Sequence, residues 1–255
     1  MLSSFLDSNQ KIPIKKSWGQ NFIIDKNIIN KIIAIIKPDI NEHIIEIGPG
    51  KGALTLPITK ISKKITCIEI DPLLCKHLAD KNIPNLEIIN KDFLDFKLDL
   101  KSPKRVIGNL PYYISSPIIF KLIKNKNISE FIIMIQKELA DRICAEPNCK
   151  DYSRISIMAQ TFCDVSYECS ISKNIFNPKP KVNSSIIRLK KKNIDIDLDK
   201  FSYFIKVAFR HRRKKVINNL KTEFPMMIKD EIFIDKRPEN ISVNDYIEIF
   251  NKYSF

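Results

Sequence analysis

The stretch NLPYYISSP, residues 109–117, places an amide side chain, two prolines and two tyrosines directly after a short apolar run. Asn109 offers a side-chain carbonyl oxygen. The main chain at Leu110 and Pro111 can offer a second one, because proline has no N–H donor to tie this turn into a sheet. Two acceptors side by side suit one NH2 group, whose lone pair they would localise and aim at an electrophile. The pattern indicates chemistry on an exocyclic amine such as that of adenine.

Two aromatic residues could hold the base that carries this amine. Tyr112 is a candidate stacking platform, and Phe176, in the loop NIFNPKPKV, could close the opposite face. Stacking a base on an aromatic ring contributes about 1–3 kcal/mol. An ordinary aromatic at a strand end is the alternative for Tyr112, and core packing is the alternative for Phe176. A base held between them must leave its own stack, so a flipped or single-stranded adenosine is expected.

A glycine-rich turn, IIEIGPGKGALT, lies between a predicted strand and a predicted helix. Gly48, Gly50 and Gly52 would allow a sharp turn and a close approach of the backbone to a ligand. With Ala53 in the last place, the spacing also satisfies the dinucleotide pattern. The turn alone therefore does not separate NAD from S-adenosylmethionine.

Carboxylates end the next two predicted strands. Glu69 could accept hydrogen bonds from both ribose hydroxyls of either cofactor. Asp92, in NKDFL, could accept from the exocyclic amine of a cofactor adenine, although a turn or a helix cap explains Asp92 equally well on its own. Ligands of open α/β sheets bind outside the carboxyl ends of the strands. Three successive strand ends with suitable residues therefore predict one nucleotide site.

The elements that must position these residues alternate along the chain. Short β-rich runs separated by helix-like segments predict an α/β fold, a Rossmann-like parallel sheet with helices on both faces. After KKKNIDIDLDK the pattern becomes helical. We therefore expect a catalytic domain over residues 1–192, with a basic N-terminal arm, IPIKKSWGQNF (residues 12–22), near its start. A small, basic helical domain should follow over residues 193–255. The predicted strands are HIIEIG, KITCIEI, LEIIN, RVIGN, EFIIMIQ, DVSYECSI and SSIIRLK.

The charge of the chain points to a polyanionic partner. The formal net charge is +14 over 255 residues, and three of the eight arginines lie in the stretch FRHRRKK. Residues 206–221 contain seven Lys or Arg and no acid, which predicts one basic helix along an RNA backbone, with a merely solvated face as the alternative. The RNA-contact candidates are Lys179, Lys181, Arg210, Arg212, Arg213, Lys214 and Lys215.

Composition argues against several other classes of protein. No apolar run reaches the roughly 18 residues that a membrane span needs, and MLSSFLDSNQ lacks the basic-then-apolar order of a secretory signal. The six cysteines form no C-x-x-C pair and have no histidine at metal-ligand spacing. We therefore expect a cytoplasmic protein with reduced thiols, no membrane segment and no metal site.

A series of motifs, in a fixed order along the chain, carries a resemblance to a known family. The motifs are EIGPGKGALT, ID after Glu69, NKDFL, NLPY, MIQKELADRI, IFNPKPKVNSS, AFRHRRKKVINNL and RPENISV. In this order they resemble the small-subunit ribosomal RNA adenine N6,N6-dimethyltransferases. The resemblance implies a methyltransferase sheet that uses S-adenosylmethionine. It also implies two methyl transfers to each of two adjacent adenosines near the rRNA 3′ end, within a maturing small ribosomal subunit.

The same resemblance assigns the site residues. It places Asn109 at both the cofactor and the target amine, and it adds Gln20 and Gly50 to the pocket. The chain departs from the family pattern at Tyr113, where bacterial members often have Asn, and this departure could alter target preference. The remaining residues that it places around the cofactor are Asn21, Ile23, Gly48, Glu69 and Asp92.

Other functions remain open at the level of sequence. A ribosome assembly or RNA-binding factor whose transfer activity is lost or incidental would keep the basic residues. A large-subunit rRNA adenine methylase would keep the cofactor site as well. An NAD-dependent oxidoreductase could use the glycine turn, but it would leave NLPY unexplained and lacks a convincing proton-transfer residue. A monomer needs no further assumption.

Overall fold

The structure is built around one mostly parallel β-sheet. The computed structural model describes residues 12–15, 18–98, 104–225 and 235–253. The strands are β1 (Phe22–Ile23), β2 (His43–Ile47), β3 (Lys64–Glu69), β4 (Leu86–Asn90), β5 (Lys104–Asn109), β6 (Ile128–Gln136), β7 (Cys163–Ile171), β8 (Phe176–Asn177) and β9 (Ser184–Lys191). Seven of them form the main sheet in the order β4-β3-β2-β5-β6-β9-β7, in which β9 is antiparallel to both neighbours. The predicted strands and fold class are confirmed.

Helices cover both faces of this sheet. Successive side chains of a strand point to opposite faces, so Ile44 of β2 belongs to one hydrophobic cluster and Ile45 to the other. Ile36 packs in the first cluster and Leu122 in the second. The helices are α1 (Lys26–Ile36), α2 (Thr55–Thr59), α3 (Pro72–Ala79), α4 (Ser115–Lys124), α5 (Lys137–Ile143), α6 (Arg154–Phe162), α7 (Leu198–Ala208), α8 (Val216–Leu220) and α9 (Val243–Lys252).

The C-terminal helices share a core with the sheet. The predicted boundary at residue 192 lies between the end of β9 and the start of α7. Across it, the rings of Phe162 and Phe201 pack edge to face with their centroids 6.0 Å apart. Phe204 and Tyr246, both fully buried, belong to the same hydrophobic cluster. The division into two domains stays a prediction, and the residues on its two sides form one continuous core.

The predicted continuous basic helix is wrong. Helix α7 ends at Ala208, residues 209–215 form a turn that we call the basic turn, and α8 begins at Val216. The buried side chain of Asn219 closes this turn, because its Nδ2 donates to the Ala208 carbonyl oxygen at 2.7 Å. A continuous helix would have placed Arg212 on the apolar stripe. The turn instead takes Arg212 out of the core.

None of the helices in the described part of the chain could cross a membrane.

Candidate active site

One cavity lies at the carboxyl ends of β2, β3 and β5. It is where the glycine turn, Glu69 and the NLPY turn meet, as expected for an open α/β sheet. Leu110 and Pro111 also line it. Every residue predicted to bind the cofactor is in its wall, namely Asn21, Ile23, Gly48, Gly50, Glu69, Asp92 and Asn109.

The glycine turn forms the floor of the cavity. Gly48 and Gly50 have φ angles of 65° and 57°, in the left-handed region that favours glycine. A Cβ atom on Gly50 would lie 3.0 Å from the ring of Phe22. The N-terminal arm therefore packs directly on this turn, and a side chain there would push the arm away.

Glu69 ends β3 with its carboxylate held by backbone donors. The side chain is buried, and it accepts hydrogen bonds from Gly50 N at 3.2 Å and Asp71 N at 3.0 Å. Burial raises the pKa of Glu69 above its ordinary value, and the two backbone donors oppose this effect because they favour the charged form. The result is a fixed acceptor in the cavity wall, suited to the ribose hydroxyls of a nucleoside.

A second buried acid, Glu46, lies beneath the glycine turn and was missed by the sequence analysis. Thr55 Oγ1 donates to its Oε2 at 2.6 Å, and the side chain lines the cavity. Burial raises the pKa of Glu46 from 4.5 to about 7. An acidic residue in the middle of the apolar run HIIEI was the available signal, because such a position is buried in a central strand.

Glu46 predicts a pH-dependent stability. The folded chain holds this proton more tightly than the unfolded chain, so the contribution of Glu46 is complete below about pH 4.5 and is lost as the pH rises through about 7. Replacing Glu46→Gln keeps the shape without the titration. We expect the free energy of unfolding of wild type, relative to the variant, to fall by about 3 kcal/mol between pH 4.5 and pH 8.

Urea denaturation of both proteins across that pH range measures this difference. The subtraction removes the part of the Glu69 contribution that the two proteins share, because burial raises the pKa of Glu69 in both. A pH-independent difference between wild type and variant would contradict the prediction.

Asp92 begins the turn that forms the outer wall. Its Oδ1 accepts from Leu94 N at 2.8 Å, and its carbonyl oxygen accepts from Phe96 N at 3.0 Å. Phe93 is buried and lines the cavity beside it. The turn interpretation of Asp92 is therefore correct as local structure, and Asp92 also lines the cavity, so the two interpretations are compatible.

Asn109 is oriented by the N-terminal arm. Its Nδ2 donates to the carbonyl oxygen of Asn21 at 2.9 Å, which leaves Oδ1 as the acceptor. Pro111 O already accepts from Ile114 N at 3.2 Å and from Ser115 Oγ at 2.9 Å. The carbonyl of Leu110 is therefore the second acceptor that the turn can offer, which narrows the choice that the sequence left between Leu110 and Pro111.

The two predicted stacking residues lie in different surroundings. Tyr112 is half-buried, and its hydroxyl is 2.6 Å from Ser184 Oγ, so its role as a platform stays a prediction. Phe176 is only 3% exposed, because β1 pairs with β8 and places Ile23 opposite it. Core packing thus describes Phe176, and its predicted stacking face is covered in this structure. Tyr113 is 60% exposed and lines the mouth of the cavity.

The N-terminal arm is fixed over the cavity by contacts that the sequence did not reveal. Lys15 Nζ and Gln20 Nε2 each donate to a different carboxylate oxygen of Asp71 at 2.9 Å. Asp71 is fully buried, caps α3, and follows Glu69 by two residues. The ammonium of Lys15 also lies 4.0 Å from the centre of the Trp18 ring. These contacts hold the arm, which lines the cavity from Trp18 to Ile24, against the start of α3.

Only part of the predicted RNA surface presents free charge. Lys179 and Lys181 are exposed. In the basic turn, Arg210 pairs with Glu223 and Lys215 with Asp235.

Arg212, which the sequence predicts as an RNA contact, bonds to other parts of the chain. Its guanidinium donates to the carbonyl oxygens of Lys150 and Tyr152, both at 2.9 Å, and pairs with Glu239. Arg213 and Lys214 are exposed, and among the described residues neither has an acidic partner within ion-pair distance.

Comparison with known proteins assigns the family. Residues 12–254 match the model of the ribosomal RNA adenine dimethylases. The chain belongs to this family.

Relatives of this dimethylase agree with that assignment. This chain is 46% identical over 255 residues to the ribosomal RNA small subunit methyltransferase A of Wigglesworthia glossinidia brevipalpis. The match covers 94% of this chain and 97% of that protein. A crystal structure of a dimethyladenosine transferase from Plasmodium falciparum superposes with a TM-score of 0.80 at 26% identity, covering 91% of this chain and 98% of that one.

A large-subunit enzyme shares the fold. The 23S rRNA methyltransferase ErmE superposes with a TM-score of 0.73 at 23% identity, covering 91% of this chain and 99% of that one. As a member of the dimethylase family, the chain is an S-adenosylmethionine-dependent enzyme that methylates adenines of ribosomal RNA.

Proposed function

We propose that this dimethylase transfers methyl groups from S-adenosylmethionine to the N6 amines of two adjacent adenosines near the 3′ end of small-subunit rRNA, giving N6,N6-dimethyladenosines. The observation that carries the proposal is Asn109. Its amide nitrogen is occupied by Asn21 O, and its Oδ1 is left at the cavity as an acceptor for one NH2 group. The small-subunit target is supported by the names of the relatives.

The residues of the cavity fit the cofactor. Glu69 supplies a fixed acceptor for ribose hydroxyls, and Asp92 supplies one for an adenine amine. Gly48 and Gly50 leave the floor without side chains. When bound, S-adenosylmethionine supplies an electrophilic methyl group on its sulfonium.

The chain itself prepares the amine. Asn109 Oδ1 and the carbonyl of Leu110 accept one hydrogen bond each from the target NH2 group. This opposes delocalisation of the nitrogen lone pair into the ring and directs the lone pair into the cavity. The arm contact from Asn21 prevents the amide from turning its donor toward the amine. No strong general base is required for this positioning.

The basic turn is the proposed contact with the RNA backbone, with Arg213 and Lys214 as its free charges. Replacing Arg213→Ala together with Lys214→Ala should weaken rRNA binding. Two lost phosphate contacts should also lower the steepness of log affinity against log salt by about 2. Filter binding of unmethylated small subunits at several salt concentrations measures both quantities.

A charge-matched control is available near the amino-terminal end of β3. Lys60 and Lys63 are exposed beside the start of β3, at the edge of the sheet away from the cavity. Replacing both by alanine removes the same charge and should leave the salt dependence almost unchanged. Equal effects of the two double variants would mean that net charge, and not the basic turn, governs binding.

The direct test is methylation of a defined substrate. Labelled S-adenosylmethionine is incubated with unmethylated small subunits, the nucleosides are analysed, and the modified positions are mapped. Dimethyladenosine at two adjacent small-subunit sites supports the proposal. Methylation of the large subunit instead, or retained binding with no transfer, would overturn it in favour of a large-subunit methylase or an assembly factor.

The cellular context follows from the proposed target. The two adenosines would be reached within a maturing small subunit, by a monomeric enzyme in the cytoplasm. Analytical ultracentrifugation, with and without the small subunit, tests whether the enzyme is a monomer.

A further inference from the structure

Lys121 on α4 holds the turn that follows Asp92. Its Nζ donates to the carbonyl oxygens of Phe93, Leu94 and Phe96 at 2.7, 2.6 and 2.7 Å. It also lies 5.2 Å from the centre of the Phe93 ring. Helix α4 begins at Ser115, directly behind the NLPY turn, so Lys121 connects the two walls of the cavity.

One ammonium thus uses all three of its donors on one turn. Hydrogen bonds from a charged donor are shorter and stronger than those between neutral groups. Within the turn itself, Asp92 accepts hydrogen bonds from Leu94 N, Asp95 N and Phe96 N, and the carbonyl oxygen of Phe93 accepts a longer one from Phe96 N at 3.3 Å. Without Lys121, three converging carbonyl oxygens would lose their shared charged donor, and only that of Phe93 would keep a backbone donor within the turn, Phe96 N. The turn would then no longer be held in one position.

Burial and nearby charge act on Lys121 in opposite directions. Desolvation lowers the pKa of the half-buried ammonium, and the carboxylates of Asp95 and Asp92 oppose that shift. The three carbonyl acceptors also favour the charged form, which is the form that the contact needs.

We propose that Lys121 is a positioning residue for adenine recognition: it fixes the Asp92–Phe96 turn so that the Asp92 carboxylate meets the exocyclic amine of the cofactor adenine beside the Phe93 ring. The inference rests on the proposed function, which places the cofactor adenine at Asp92. Lys121 touches neither cofactor nor target in this role, and it acts through the turn.

The test compares two ligands by calorimetry on the full chain. S-adenosylhomocysteine carries the adenine amine, and S-inosylhomocysteine carries a carbonyl oxygen in its place, which the Asp92 carboxylate would repel. Wild type should prefer the adenine compound. Lys121→Met should reduce this preference roughly tenfold, the effect of one hydrogen bond to a charged group. Asp92→Asn, which replaces one acceptor oxygen of the carboxylate by an NH2 donor, should also lose the preference for the adenine compound.

Lys124 provides the matched control. It lies one turn further along α4, is exposed, and pairs with Asp199 on the surface, so Lys124→Met should keep the wild-type preference. Hydrogen exchange of the peptide over residues 92–98 should become faster in Lys121→Met and stay unchanged in Lys124→Met. If Lys121→Met does not fold, Lys121→Gln, which keeps two donors, should show a roughly threefold loss of preference by the same comparison.

The outcomes distinguish a failure of the positioning role of Lys121 from a failure of the adenine site at Asp92. Loss of preference in Asp92→Asn but not in either Lys121 variant would overturn the positioning role and leave the cofactor site intact. A wild-type enzyme that binds both compounds equally would remove both the adenine site at Asp92 and the role of Lys121. A general loss of affinity in Lys121→Met with an unchanged ratio would mark Lys121 as merely structural.

Discussion

Replacing Asn109→Ala is expected to lower the single-turnover rate of methyl transfer by roughly 100- to 1,000-fold. The variant removes the Oδ1 acceptor, so the amine lone pair returns to the ring and is no longer aligned. It also removes the donor to Asn21 O, a peptide oxygen of the half-buried arm. Binding of S-adenosylhomocysteine should therefore change by only a few fold.

Rapid-mixing assays with saturating small subunits, together with calorimetry, measure the rate and the cofactor affinity separately. Asn41→Ala, in an exposed turn before β2, removes an amide far from the cavity and controls for general effects. Wild-type turnover by Asn109→Ala would end the proposed role. A parallel collapse of cofactor binding would assign Asn109 to the cofactor instead of the amine.

Replacing Glu69→Gln is expected to weaken cofactor binding by roughly 100-fold or more. The carboxylate is the proposed acceptor for two ribose hydroxyls, and each hydrogen bond to a charged group contributes about 1.5–3 kcal/mol. Glutamine keeps the size of the side chain, but it has one carbonyl oxygen for the positions that two carboxylate oxygens serve. The Gly50 and Asp71 amides then compete for it with the ligand.

Calorimetric titration with S-adenosylhomocysteine measures the loss. Glu87→Gln, at a partly exposed position of the neighbouring strand β4, is the matched control, because Glu87 pairs with Lys64 away from the cavity. A Glu69→Gln variant that binds as tightly as the control would move the ribose to another part of the cavity. Melting temperatures of both variants exclude unfolding as the cause.

The sheet and the cavity walls were predictable because their signals are local. Runs such as HIIEI and KITCIE are short, apolar and rich in isoleucine, and each ends at a glycine turn or a carboxylate. Parallel strands bring such ends to one edge, so Glu69 and Asn109 line the same cavity although they are 40 residues apart in the sequence. The rule required no knowledge of side-chain contacts.

The remaining contacts had no local signal. Lys15 and Asp71 are 56 residues apart, and Lys121 reaches a turn 25 to 28 residues before it. Nothing in the spacing of a lysine shows which carbonyl or carboxylate it will meet. The basic helix was mispredicted because seven cations and an apolar stripe satisfied helical periodicity. The closure of the turn depends on one buried amide, Asn219.

The continuous core between the sheet and the C-terminal helices fixes the distance between the basic turn and the cavity. Phe201 packs on Phe162, which ends α6 just before β7 of the sheet, so the basic turn that follows α7 has a fixed span to the cavity. With the phosphate contact that we propose at the basic turn, the RNA would have to span this distance between its phosphates and the target adenine. An RNA of the right sequence but a different fold would then fit only one of the two positions.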